Sequence, residues 1–153
     1  MKPLLLLISS LFLVGCMTSP VENSGGMGSL TVSDTNVSAI VAAAQTVFPQ
    51  YGYSMGPSNF PDSISFDKPS GAFGNIVWGS FNSPVTFRAT LNMTPIPGTN
   101  NYRVSVRVTR VQSAGQAGFE DTTRMAGFWA GEFRPILRQI QATAAGAGSA
   151  TTF

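Results

Sequence analysis

Two stretches of the chain alternate in side-chain character residue by residue. No other sequence feature limits the fold as much. In VTFRATLNM, Val85, Phe87, Ala89, Leu91 and Met93 share one parity, and Thr86, Arg88, Thr90 and Asn92 share the other. In YRVSVRVTRV, Tyr102, Val104, Val106 and Val108 alternate with Arg103, Ser105, Arg107 and Thr109. Successive side chains of a strand point to opposite faces, so a period of two predicts strands with one buried face and one wet face. The turn-forming stretch between them, TPIPGTNN, makes the pair antiparallel. Pairing Met93 with Tyr102 sets Leu91 opposite Val104 and Arg88 opposite Arg107.

An antiparallel sheet with one apolar face needs a second layer to cover it. Two amphipathic segments supply one. Val37, Ile40, Val41, Ala44, Val47 and Phe48 recur at helical spacing behind Asp34, a good N-cap type, and ahead of Pro49 and Gly52. This predicts a helix over 35–48. Met125, Phe128, Trp129, Phe133, Ile136, Leu137 and Ile140 form a second apolar stripe, in which Pro135 kinks the helix or starts a new one. Ile64 and Phe66 alternate with serines as a short strand, and NIVWGSF at 75–81 reads as another. The expected fold class is α+β: a two-layer sandwich of about four antiparallel strands with two helices on one face, in the order α-β-β-β-β-α.

The remaining segments divide the 153 residues. Residues 17–33 are rich in Ser, Gly and Pro and read as a flexible tether spanning about 20–25 Å. The expected organisation is therefore a leader at 1–15, a modified N-terminus and tether at 16–33, one α+β domain at 34–143, and a disordered tail at 144–153.

Composition removes several function classes. Charged residues are 10% of the chain, well under the roughly 25% of an average soluble protein. The net charge of +2 is too small a bias to imply nucleic acid. Histidine is absent, which takes away the commonest general base and the commonest zinc ligand. One cysteine permits neither an internal disulfide nor a cysteine cluster. No metal and no cofactor is expected.

That cysteine closes a distinctive N-terminus. Met1-Lys2 is followed by an apolar run from Leu4 to Val14, broken only by Ser9 and Ser10. The run is too short to span a bilayer, which takes about 20 residues, and suits the apolar core of a signal peptide. Leu13, Val14, Gly15 and Cys16 resemble a lipobox, the cleavage motif of bacterial lipoproteins. The resemblance implies cleavage before Cys16, a diacylglycerol on its sulfur and an acylated amine. Several acyl chains anchor stably where one is marginal. In enterobacterial lipoproteins an Asp after the cysteine favours the inner membrane. Met17 in that place implies the outer membrane, with the domain facing the periplasm. Without residues 1–15 the mature chain carries eight basic and seven acidic side chains.

Within the domain, Arg88, Arg103 and Arg107 share the wet face and form a possible patch for an anionic partner, such as an envelope protein or an anionic glycan or lipid. Ser65 and Lys68 match S-x-x-K of serine β-lactamases, but that pattern belongs on a helix. In a strand the two side chains face opposite ways, so the match is accidental. The aromatic residues Trp78, Phe119, Phe128, Trp129 and Phe133 read as core, with an apolar groove for lipid or peptide as the other possibility. Gly127 and Gly131 could permit close packing on the sheet. Asp62 and Asp67 flank a strand, and no two acidic residues make an acid/base pair. Phe153 lacks the strand that ends outer-membrane barrels.

The element order resembles small domains of envelope-assembly lipoproteins, a likeness of topology that carries no site residue across. The functional expectation is a lipid-anchored, non-enzymatic binding or assembly module. The alternatives are a lipid or glycan carrier and, behind it, a histidine-free envelope hydrolase.

Overall fold

The computed structural model describes residues 28–71, 85–114, 121–124 and 130–149. In chain order the elements are β1 (Ser29–Val32), α1 (Val37–Val47), a 3-10 turn (Phe48–Tyr51), β2 (Ser54–Met55), β3 (Ser63–Pro69), β4 (Val85–Pro95), β5 (Tyr102–Gln112), β6 (Asp121–Arg124) and α2 (Ala130–Ser149). All the strands form one antiparallel sheet, and with two helices the fold class is α+β.

The two alternating segments become β4 and β5, paired along their whole length. β5's other edge is shared: β1 pairs with its 102–105 end and β6 with its 109–112 end. β3 lies beyond β4, and β2 forms the far edge, giving the order β1-β5-β4-β3-β2. Six strands therefore occupy five lateral positions. The expectation of about four strands holds for β3, β4 and β5. The strand expected at 75–81 lies outside the described residues.

The register differs from the expected one by two residues. Met93 pairs with Val104, Leu91 with Val106, and Pro95 with Tyr102. The cause is the turn. Thr94 and Pro95 continue β4, and the loop closes later, where Ile96 N–H donates to the Asn101 carbonyl at 2.9 Å. Gly98 takes the left-handed conformation (φ 75°) that this turn needs. A two-residue shift leaves every side chain on its face, so the burial pattern of β4 from Val85 to Met93 is still strict alternation.

One hydrophobic cluster joins the apolar face of the sheet to both helices. Ile64, Phe66, Ala89, Leu91, Val104 and Val108 come from the strands; Ile40, Ala44 and Val47 from α1; Phe133, Ile136, Leu137 and Ile140 from α2. Phe48, at the end of α1, stacks on Phe66 with ring centroids 4.1 Å apart. Phe133 is the one member of the expected aromatic set that falls among the described residues, and it is fully buried.

Four boundaries move. Asn36, not Asp34, caps α1: its side chain accepts from Ala39 N–H at 2.8 Å. Asp34 instead turns the chain with φ 50°, and its N–H donates to the Asn101 side chain. β1 lies inside the stretch expected to be tether, with Leu30 and Val32 buried. Residues 121–124 are strand, immediately ahead of the second apolar stripe, where no strand was expected. α2 continues through Ser149, beyond the expected limit of 143, with Ala144 buried in the core. Pro135 is accommodated inside α2. Its missing N–H forgoes a bond to the Gly131 carbonyl, which its ring also crowds, and the site lies close to the start of the helix. A Cβ on Gly131 would meet nothing within 4 Å, so the expectation of close packing does not hold there.

β1's membership of the fold is directly testable. Leu30→Ala should destabilise the protein by about 2–4 kcal/mol in chemical denaturation, the usual cost of truncating a buried leucine. If residues 29–32 were a tether, the same substitution would leave the midpoint where it was.

Candidate functional site: the polar face of the sheet

The face of the sheet opposite the hydrophobic cluster carries mostly Thr, Ser, Asn, Arg and one Asp, with Pro69 and the buried Val111 at one end and Ser29 and Ser65 buried within it. β3 contributes Ser63, Ser65 and Asp67; β4 contributes Thr86, Arg88, Thr90, Asn92 and Thr94; β5 contributes Arg103, Ser105, Arg107 and Thr109. Their shared face follows from register, since Ser65 stands opposite Thr90 and Thr90 opposite Arg107. The Ser65 and Thr90 hydroxyls are 2.9 Å apart and hydrogen-bonded across the strands.

The three arginines do not act together. Arg88 faces Thr109 rather than Arg107, and on its other side it faces Asp67. Its Nε and Nη2 donate to Asp67 Oδ1 at 2.8 Å and Oδ2 at 2.9 Å, a two-pronged pair with both side chains mostly buried. Fork-on-fork pairing of this kind is the strong form of the interaction. Gly56 makes room for it: a Cβ there would lie 2.7 Å from Asp67 Oδ1, inside any permissible contact. Arg103 and Arg107 are exposed. Among the described residues neither of them has an ion-pair partner.

A cleft of about 340 Å³ opens beside the Asp67–Arg88 pair, lined also by Met55, Pro57, Pro69 and Thr86. Met55 is 54% exposed there. The carboxylate and guanidinium in the cleft neutralise each other. They offer a fixed dipole and hydrogen-bonding edges, not a proton-transfer couple.

The second charged group ties α2 to the sheet. Glu132 Oε1 accepts from Lys68 Nζ at 2.9 Å and from the Tyr53 hydroxyl at 3.2 Å. Lys68 Nζ also lies 4.9 Å from the centre of the Tyr53 ring. Burial pushes the Tyr53 hydroxyl well above its ordinary range, and the Glu132 charge and hydrogen bond push it further. Tyr53 is therefore a fixed donor and not a latent phenolate. Ser65 and Lys68 stand on opposite faces of β3, the serine bonded to Thr90 and the lysine to Glu132.

Among the described residues no cluster of three or more Cys, Asp or Glu could hold a metal ion. Within the same residues no helix is long and apolar enough to cross a membrane. Cys16, Leu13, Val14, Gly15, Trp78, Phe119, Gly127, Phe128, Trp129 and Phe153 lie outside the described residues. No protein-family model matches the chain, and no curated protein is significantly similar to it.

The sequence alone does not pair Asp67 with Arg88, because as a residue flanking a strand Asp67 has no assigned face; its parity with Ser63 and Ser65 is the signal that places it. Truncation of Arg88 to Ala should cost about 1–3 kcal/mol, since it strands a largely buried carboxylate. Gly56→Ala should reproduce part of that loss, and combining the two should be less than additive in denaturant unfolding.

Tyr53 makes a prediction about alkali. Its folded-state pKa is raised, so the folded protein holds the proton that the unfolded chain gives up near pH 10. Below that pH the group leaves stability flat; above it, stability should fall. Tyr53→Phe should remove part of this alkaline fall in thermal melts taken across the range. An unchanged alkaline slope would show that Tyr53 ionises as freely folded as unfolded.

Proposed function

We propose that this chain is a lipid-anchored protein of the bacterial cell envelope, held by acyl chains on Cys16, with its α+β domain facing the periplasm from the outer membrane. The domain works as a non-enzymatic binding or assembly module. In this reading the helices lie on one face of the sheet as a two-layer sandwich, leaving the polar face as the working surface.

The observation that carries the binding reading is the contrast between the two faces. The apolar face is filled by Phe48 stacked on Phe66 and by the buried stripe of α2. The polar face carries hydroxyls, amides and two arginines without ion-pair partners among the described residues. A carrier holding its ligand between helices and sheet would need space where those side chains pack. A hydrolase would need a titrating couple. The two carboxylates described in this region, Asp67 and Glu132, are each occupied by a cation. The lipobox resemblance of Leu13 to Cys16 supports the location.

Cys16→Ser should abolish fatty-acid labelling and membrane retention when the chain is produced in a bacterium that processes lipoproteins. A variant that still labels would remove the anchor from the proposal. For the binding role, crosslinking of the anchored protein in its own envelope should capture a partner through the polar face. Capture unaffected by Arg103→Ser/Arg107→Ser would exclude that surface.

A further inference from the structure

The point where the N-terminal segment joins the sheet lies between Arg103 and Arg107, which have no ion-pair partner among the described residues. Ser29 stands opposite Ser105, and Val106 N–H donates to the Gly28 carbonyl at 3.1 Å. Arg103 and Arg107 flank that point along β5, about 13 Å apart at the strand rise. Both are exposed, and both lie on the polar face. On the same face Arg88 is neutralised by Asp67, and Arg124 of β6 stands opposite Thr109. Arg103 and Arg107, which have no ion-pair partner among the described residues, both sit at the root of the segment that leads to Cys16.

Eleven residues separate Cys16 from Gly28. Whatever their conformation, they reach at most about 40 Å. Any bilayer that holds Cys16 is thus always within reach of Arg103 and Arg107. We propose that the polar face around Arg103 and Arg107 rests on the phosphates of anionic phospholipids in the leaflet that holds the anchor. The proposal deepens the lipid-anchor reading and rests on it.

The chemistry fits phosphate. A guanidinium donates two parallel hydrogen bonds to phosphate oxygens. Thr31 and Thr94, the cross-strand neighbours of Arg103, and Thr90, the neighbour of Arg107, place hydroxyls beside them. Each basic side chain near an anionic bilayer strengthens attachment about fivefold. Two such contacts would be feeble for a protein free in solution. For a tethered domain the surface is present at high effective concentration, so the same contacts decide which face turns down. An acidic soluble protein would have no such advantage.

The lone cysteine makes the test simple. The chain from Cys16 onward, which contains every described residue, is coupled through its thiol to maleimide lipid in vesicles. The vesicles are phosphatidylcholine alone, or phosphatidylcholine and phosphatidylglycerol in equal parts. Phenylglyoxal modification of each arginine is then followed by mass spectrometry. Arg134 and Arg138, exposed on α2, are internal controls. On phosphatidylglycerol vesicles at low salt, modification of Arg103 and Arg107 should slow about fivefold or more, and high salt should restore it. Arg134 and Arg138 should react equally on both vesicles. Equal rates at Arg103 and Arg107 on the two vesicle types would overturn the proposal. So would protection of Arg134 and Arg138 in their place, or protection that appears only when an acidic protein is added. Because the coupling is chemical, these outcomes do not depend on lipidation in the cell. Failure of fatty-acid labelling and failure of headgroup contact are thereby read separately.

Discussion

The ladder between β4 and β5 is the contact on which the rest of the structure is assembled. Eleven residue pairs, from Val85–Gln112 to Pro95–Tyr102, fix a ribbon that from Ala89–Val108 to Met93–Val104 is apolar on one face and polar on the other. Every other element uses one of its free sides. β3 takes the open edge of β4, while β1 and β6 divide the open edge of β5. Both described helices share its hydrophobic cluster. Even the link from β1 to α1 is fastened to the ribbon's turn, since Thr35 N–H donates to the Asn100 carbonyl and Asp34 N–H to the Asn101 side chain. A ribbon of this length carries its own register, and short additions such as the two-residue β2 can then be held by pairing and by a side-chain bond from Ser54 to the Asp67 carbonyl.

The alternation was legible in the sequence because a period of two is a local signal. Register was not, because the core cannot sense it. A slip of one residue would invert the faces, whereas a slip of two keeps every side chain on its face and changes only the cross-strand partners. The polar face alone feels that difference. There the slip removes the repulsive Arg88–Arg107 pairing and sets Arg88 between Thr109 and Asp67. Electrostatics would have favoured the observed pairing, had β3 been placed beside β4. The short strands escaped for another reason. Ser29–Val32 alternates correctly, with Leu30 and Val32 inward, but four residues among glycines and serines resemble a linker. The α2 end was hidden by Ala and Gly, whose helicity comes from contact with the core at Ile140 and Ala144.

Scarce charge shapes the surface. With 10% charged residues, the chain cannot cover a polar face with lysine and glutamate. It uses cross-strand hydroxyls instead, as in Ser65 and Thr90. The few charges that fall inside the fold fasten elements together. Asp67–Arg88 joins β3 to β4, and Glu132 gathers Lys68 and Tyr53 at the start of α2. Both carboxylates are held as acceptors, and the Tyr53 hydroxyl is held as a donor. Groups fixed in this way give geometry rather than proton transfer.

The two arginines left over acquire their meaning from β1. A tether attached to a loop would let the domain tumble freely beneath its anchor. β1 instead carries the N-terminal segment into an edge of the sheet, beside Arg103 and Arg107, so that the pull of the proposed anchor would be applied at a fixed place. Under the lipid-anchor proposal, the acyl chains and the guanidinium groups then act at different ranges. Hydrocarbon burial holds the protein to the bilayer with an energy that two surface charges could not supply. The charges need only distinguish one face from the other, and for that a few-fold preference suffices once the distance is already closed.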